Sequence, residues 1–196
     1  MNSVVEKWGM FELPMRSRSH YSNPFTDVKL KARFYHEGKS TTVQGFYDGD
    51  DVYKIRFMPE SEGEYTYRVQ SNDPDLNGIS GTISVTPPSG ENHGPVRVSG
   101  TEHFSYADGT PFFVMGTTAY VWHYRPAEIR QKTLQSFSKY GFNKIRMLFF
   151  PKHYTGNFGA VNVSYEPPCY PFEGKPKQFD FTRPNPAYFS AFEERL

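Results

Sequence analysis

The sequence predicts a β-sandwich followed by the opening of an α/β barrel of parallel strands. Through residues 4–87, short apolar–polar alternations recur between clusters of Gly, Asp, Asn and Pro, as half-buried strands joined by tight turns do. Thr86-Pro87-Pro88-Ser89-Gly90 then interrupts the alternation. Past this break, residues 133–150 read as the back half of a helix running into a buried strand, the repeating unit of a β/α architecture. Richness in Tyr, Phe, Gly and Pro, with little Leu, also favours strands and turns over helix bundles.

The first strand is read from Val5, Trp8 and Phe11-Glu12-Leu13, an edge strand ending at Pro14. Ser17–Pro24 is polar and turn-rich. Val28–Phe34 alternates apolar with basic residues, so one face is wet, and Thr42–Tyr47 is the next strand. In Asp48-Gly49-Asp50-Asp51, Gly49 can take positive φ at little steric cost. Val52–Phe57, Gly63–Val69 and Ile79–Val85 complete the unit. Tyr65, opening the Gly63–Val69 strand, fits a tyrosine corner, in which the hydroxyl ties back to the preceding turn in immunoglobulin-like sandwiches. A plain strand with two exposed tyrosines also fits. The expected division is an immunoglobulin-like sandwich at 1–88, a linker at 89–101 with a solvated His93, and the start of a barrel at 102–196.

His103–Tyr106 and Pro111–Gly116 flank Asp108-Gly109-Thr110, a hairpin signal. The second arm lacks polar alternation, which predicts a strand buried on both faces. Pro126-Ala127-Glu128 opens a helix, Ile129, Leu134, Phe137 and Tyr140 give it an apolar stripe, and Gly141 ends it. Asn143–Phe150 is the following strand. Lys152–Pro184 is expected to be a long loop, and at that length a functional one. Asn185 caps a last helix with Pro186 in its first turn. A complete barrel needs about 200 residues or more, so the chain is expected to stop before a third barrel strand.

Composition narrows the chemistry. The formal net charge of +1 offers no basic stripe for nucleic acid. Cys169 is the single cysteine, which excludes an intrachain disulfide and a cysteine-based metal site. No apolar stretch is long enough to cross a bilayer and no secretory h-region opens the chain, so a cytoplasmic setting without membrane partners is expected. The sequence has no phosphate-binding Gly-rich loop, no His-Glu-x-x-His helix and no Gly-x-Ser-x-Gly elbow, and no cofactor is expected. Asn162-Val163-Ser164 matches a glycosylation acceptor, a triplet frequent by chance.

A β/α barrel builds its active site from strand C-termini and the loops that follow. Two such places are Gly116–Tyr124 and Arg146–Tyr154. Gly141-Phe142-Asn143-Lys144-Ile145-Arg146 resembles the second-strand segment of clan A, cellulase-type glycoside hydrolases. The wider order of motifs is similar to bacterial glycoside hydrolases in which an immunoglobulin-like domain of unknown function precedes an apiosidase-like TIM barrel. The matching stretches are Glu6-Lys7-Trp8-Gly9, Gly45–Gly49, Asn92–Val98, Asp108–Pro111, Gly116-Thr117-Thr118 and Phe179–Thr182.

That resemblance implies a carbohydrate substrate and hydrolysis of O-glycosidic bonds by two carboxyl groups. It places Arg146 beneath those carboxylates, where a guanidinium would hold one ionised and oriented. Tyr120, Trp122, His123, His153 and Tyr154, at the two strand ends, are the other candidates for substrate contact. Trp122 as packing residue and His123 as satisfied loop histidine remain alternatives, as does self-packing for Tyr165, Tyr170 and Phe172. The family's catalytic acids come from later strands, so no catalytic residue is assigned and the chain by itself is expected to be inactive. A non-catalytic carbohydrate-binding or structural role for the sandwich is the alternative.

Overall fold

The computed structural model describes residues 2–150 and 167–196. It contains two compact units, one ending at Phe112 and the other starting at Phe113.

The first unit is a β-sandwich. One sheet has the order β1 (Asn2–Glu6), β8 (Ser80–Thr86), β7 (Gly63–Ser71), β3 (Leu30–His36), β4 (Lys39–Gln44). The facing sheet has the order β2 (Phe11–Arg16), β6 (Val52–Phe57), β5 (Phe46–Gly49). All neighbours are antiparallel except β1 and β8, which run parallel from Asn2↔Thr82 to Glu6↔Thr86. Alternation places Leu30, Ala32 and Phe34 of β3, Tyr53, Ile55 and Phe57 of β6, and Tyr65, Tyr67 and Val69 of β7 in one core. A short helix α1 (Pro24–Asp27) follows the polar segment after β2, with Asn23 as its cap.

Three boundaries differ from the expected ones. The opening strand is two strands in different sheets, because the chain reverses at Trp8, where φ is +64°. β2 continues through Pro14, which is tolerated because β2 is an edge strand and one side of it needs no donor. The strand expected at Thr42–Tyr47 is also two, parted at Gly45 where the chain changes sheets. A Cβ at Gly45 would lie 2.4 Å from Leu30 Cδ2 and 2.8 Å from Ile55 Cδ1. Gly45→Ala is therefore expected to destabilise the sandwich by about 1–3 kcal/mol, the cost of forcing a methyl into a filled core. Urea unfolding at unchanged m-value would measure it, and a wild-type midpoint would show that Leu30 moves aside freely.

The residues expected as linker are fastened to the sandwich. Glu6 accepts hydrogen bonds from the Ser89 amide and from Asn92 Nδ2, both at 2.7 Å, and these hold its carboxyl below the ordinary carboxylate range. Gly94, at φ +75°, lies so close to the Trp8 indole that a Cβ would come within 2.5 Å of the ring. His93 is not merely solvated: its Nδ1 is 2.7 Å from Asp108 Oδ2. Strands β9 (Val96–Ser99) and β10 (His103–Tyr106) pair antiparallel, and the Asp108 turn closes with Tyr106 N–H donating to Thr110 O. The first unit thus extends past the expected boundary, since the hairpin and its turn pair among themselves and with the sandwich linker.

In the second unit, β11 (Gly116–Thr118) and β12 (Lys144–Arg146) lie side by side and parallel, connected through helix α2 (Ala127–Lys139). The strands are shorter than the sequence suggested, each having a single partner among the described residues. Phe113, Val114 and Met115, expected to be buried, are 83%, 45% and 53% exposed. The α2 stripe is likewise uncovered, with Ile129, Leu134 and Tyr140 exposed, while Phe137 packs on Phe142. The long loop expected up to Pro184 contains a hairpin, β13 (Phe172–Lys175) and β14 (Gln178–Pro184). Pro176 followed by Lys177 at φ +71° makes its turn. Helix α3 (Pro186–Glu193) begins as predicted, with Asn185 Oδ1 accepting from the Ala187 amide. Among the described residues no helix is long and apolar enough to cross a membrane.

Candidate functional site

The parallel pair brings two strand C-termini together. Arg146 is paired in register with Thr118. Just beyond, the Ala119 amide donates to Arg146 O and the Leu148 amide to Tyr120 O, both at 2.9 Å. The two candidate segments therefore hold each other through the backbone. At the other end of the pair, Asn143 does the same job with its side chain. Its Oδ1 accepts from the Met115 amide at 2.9 Å and its Nδ2 donates to Phe113 O at 2.7 Å. The Asn of the Gly-Phe-Asn-Lys-Ile-Arg segment thus fixes the strand register that sets Arg146 opposite Thr118. The sequence motif carried this residue, but only the structure shows its work.

Arg146 and Tyr120 meet at this rim. The guanidinium carbon lies 5.8 Å from the Tyr120 ring centroid, within the range of a cation–π contact. Tyr120 is 41% exposed and Arg146 is exposed, so both are open to a ligand. Trp122 and His123 are placed differently. They lie in a 3₁₀ turn (Trp122–Tyr124) and are 5% and 1% exposed. Trp122 Nε1 donates to Arg130 O at 3.3 Å, and His123 Nε2 lies 2.8 Å from Leu148 O. Tyr124, Tyr188 and Phe192 surround the His123 ring edge-on. Burial pushes its pKa down, against the Leu148 hydrogen bond and with help from the charges of Arg195 and Arg130. His123 is therefore neutral and donating near pH 7. In this geometry Trp122 holds the loop to α2 and His123 holds it to the segment just past β12, and both present almost no surface to a ligand. An apolar loop between Tyr120 and Arg125 was the available signal for this. His153 and Tyr154 lie outside the described residues, as do Lys152, Tyr165 and Glu166.

Tyr188 is a residue the sequence did not single out for the site. It is 4% exposed and donates its hydroxyl hydrogen bond to Phe149 O, just past β12. Burial pushes its pKa up to about 12, so it remains a donor. Helix α3 thereby clamps the segment that follows Arg146, aided by Phe149 packing on Phe189 and Phe192. Tyr170 and Phe172 join Phe150 and Phe179 in an aromatic cluster. Glu173 and Asp180 face each other across the β13–β14 pair. Asp180 is occupied by the Thr182 amide and hydroxyl, which lower its pKa. Among the described residues no three His, Cys, Asp or Glu side chains are grouped to hold a metal ion.

Residues 4–72 match a family described as Domain of unknown function (DUF5060). No curated protein matches the chain. Among solved structures, it is similar to a crystal structure described as "a putative glycoside hydrolase" from Bacteroides vulgatus ATCC 8482, at 42% identity and a TM-score of 0.88. The match covers 98% of this chain and 38% of that one, so the chain spans well under half the length of its relative.

Proposed function

We propose that this chain forms the N-terminal part of a glycoside hydrolase: an immunoglobulin-like sandwich and the first β/α units of a clan A, apiosidase-like TIM barrel. The observation that carries it is the 42% identity sustained over 98% of the chain with the Bacteroides protein. Parallel β11 and β12 joined through α2 fit the start of a barrel, since only a crossover connection makes a parallel pair. The exposed apolar faces of Phe113–Met115 and α2 suit further β/α units packing on them. The sheet orders of the sandwich, with β1 parallel to β8, support the immunoglobulin-like assignment. So does the Ser61 amide donating to the Tyr65 hydroxyl at 3.2 Å, a tyrosine corner.

In such a barrel the substrate is a glycan, and two carboxyl groups from strands beyond this chain do the acid–base and nucleophilic work. Arg146 orients one of them and keeps it ionised through a charge-assisted hydrogen bond, and Tyr120 borders the sugar. Trp122 and His123 support the loop, and His153 and Tyr154 are assigned to the substrate side.

The test uses the protein that continues past Leu196. It is expected to release an aryl leaving group from aryl glycosides, while residues 1–196 release none. Arg146→Lys in the longer protein is expected to lower kcat by about 100-fold, the scale on which removal of one preorganised electrostatic contact acts, with KM little changed. A longer protein inert on a broad glycoside panel, or an Arg146→Lys variant with wild-type kcat, would overturn the proposal.

A further inference from the structure

The sandwich has an open flank on the side of β4. In register, Lys39, Thr41 and Val43 lie opposite His36, Phe34 and Ala32, so they stand on the inner face of the sheet. Phe34 and Ala32 are sealed in the core, but Lys39 and Thr41 are exposed, because β4 is an edge strand and none of the described residues covers it there. A cleft of about 510 Å³ results, inside the ~300–1,000 Å³ range of small-ligand sites. Its floor is aromatic: Phe34 stacks on Phe57 at 3.9 Å, and His36 stacks on Tyr65 at 4.2 Å. Its far wall is Arg56, Met58, Glu60 and Ser61.

The polar groups of this cleft divide into engaged and free. Arg56 is bound to Glu12 at 2.6 Å and lies over the Phe46 ring. Glu60 is bound to Arg97 at 2.6 Å. His36 Nδ1 is 2.9 Å from Glu64 O, and its Nε2 is 3.8 Å from Glu37. By contrast, the Lys39 ammonium and the hydroxyls of Thr41 and Ser61 have no partner among the described residues. One unpaired cation and two unpaired hydroxyls thus face a cleft bounded by Val43 and Met58, the latter 39% exposed.

We propose that this cleft binds a uronic-acid-bearing saccharide, its carboxylate on Lys39, its hydroxyls on Thr41 and Ser61, and the C–H face of the ring on Met58 and Val43. An amphipathic, hydroxyl-rich ligand that presents one of its carboxylates to Lys39 complements each of these groups. The choice of a saccharide over another small anion rests on the hydrolase assignment above; the cleft itself does not. The site lies wholly within the sandwich and gives that domain a glycan-holding role separate from the barrel rim.

The experiment is a titration of isotope-labelled residues 1–196, followed by amide NMR, with trigalacturonate, cellotriose and sodium sulfate as separate probes. Trigalacturonate is expected to shift Thr41, Met58 and Ser61 in a saturable way at millimolar concentration. Cellotriose is expected to bind about tenfold more weakly, as loss of one charge-assisted contact implies. Lys39→Gln should weaken trigalacturonate about tenfold and leave cellotriose unchanged, and Lys39→Arg should retain most of the affinity. Absence of saturable shifts at these residues, equal binding of cellotriose, equal effects of sulfate, or indifference to Lys39→Gln would each overturn the proposal. None of these outcomes bears on turnover by the longer protein, so the two assignments fail separately.

Discussion

Phe34→Ala is expected to cost the sandwich about 3–5 kcal/mol, the range for deleting a buried aromatic ring. Phe34 is 1% exposed. Its ring stacks on Phe57 from the facing sheet and also meets Phe11 and Tyr67, so it joins both layers. β-sheet backbones cannot close on the resulting void without losing register on β3, which is paired on both sides. A domain with a typical stability of about 5–15 kcal/mol would lose a large part of it. The neighbouring Tyr35 is 44% exposed, and Tyr35→Ala should stay within about 0.5 kcal/mol of wild type. Urea midpoints of the two variants check the contrast. Similar midpoints would mean that the outer face of β3 contributes as much as the core face.

The second large effect is polar. Asp73 is fully buried and accepts from the Ser17 hydroxyl at 2.6 Å and the Tyr21 hydroxyl at 2.8 Å. Its other oxygen accepts from the amides of Asp75 and Leu76 at 2.8 and 3.3 Å. The carboxylate therefore ties the segment after β2 to the turn after β7. Asp73→Ala leaves the buried Ser17 hydroxyl and the Asp75 amide without that acceptor, while the Leu76 amide keeps its bond to Asp73 O, a loss of about 3 kcal/mol. Burial alone would raise the pKa of Asp73, but the four donors outweigh it and the net direction is down. A depressed carboxylate stabilises the fold above its unfolded pKa of about 3.9 and ceases to do so as pH falls through the lower folded value. Stability measured against pH below about 4 should therefore decline less steeply in Asp73→Asn than in wild type. Parallel slopes would show that other carboxylates carry the acid sensitivity.

The sandwich strands were readable because each alternates with period two and one face is buried, as in Val52–Phe57. What escaped were places where a single residue redirects the chain. Trp8 takes positive φ without being Gly, and Gly45 differs from a turn glycine only through its contact with Leu30 and Ile55. The β13–β14 hairpin was hidden because Gly174 and Pro176 resemble loop residues unless the pairing partners are known. In the second unit, periodicity gave α2 and the parallel pair but overstated strand length and burial, since a buried strand needs neighbours on both sides. Arg146 ends β12 and Tyr120 follows β11, and the two side chains lie beside each other. The enclosure of His123 depends on Tyr188 and Phe192, some 65 residues later in sequence, and short-range patterns carry no trace of such a contact.

The parallel alignment of β1 with β8 has a mechanical consequence. The chain enters β1 at Asn2 and leaves β8 at Thr86, so traction applied across those two points drags the strands in opposite senses along their length. The load then falls on the whole ladder simultaneously, in shear, instead of unzipping it from one end. Glu6, gripping Ser89 and Asn92, adds a latch at the exit. A domain wired in this way transmits traction from one end to the other while keeping its own layers closed.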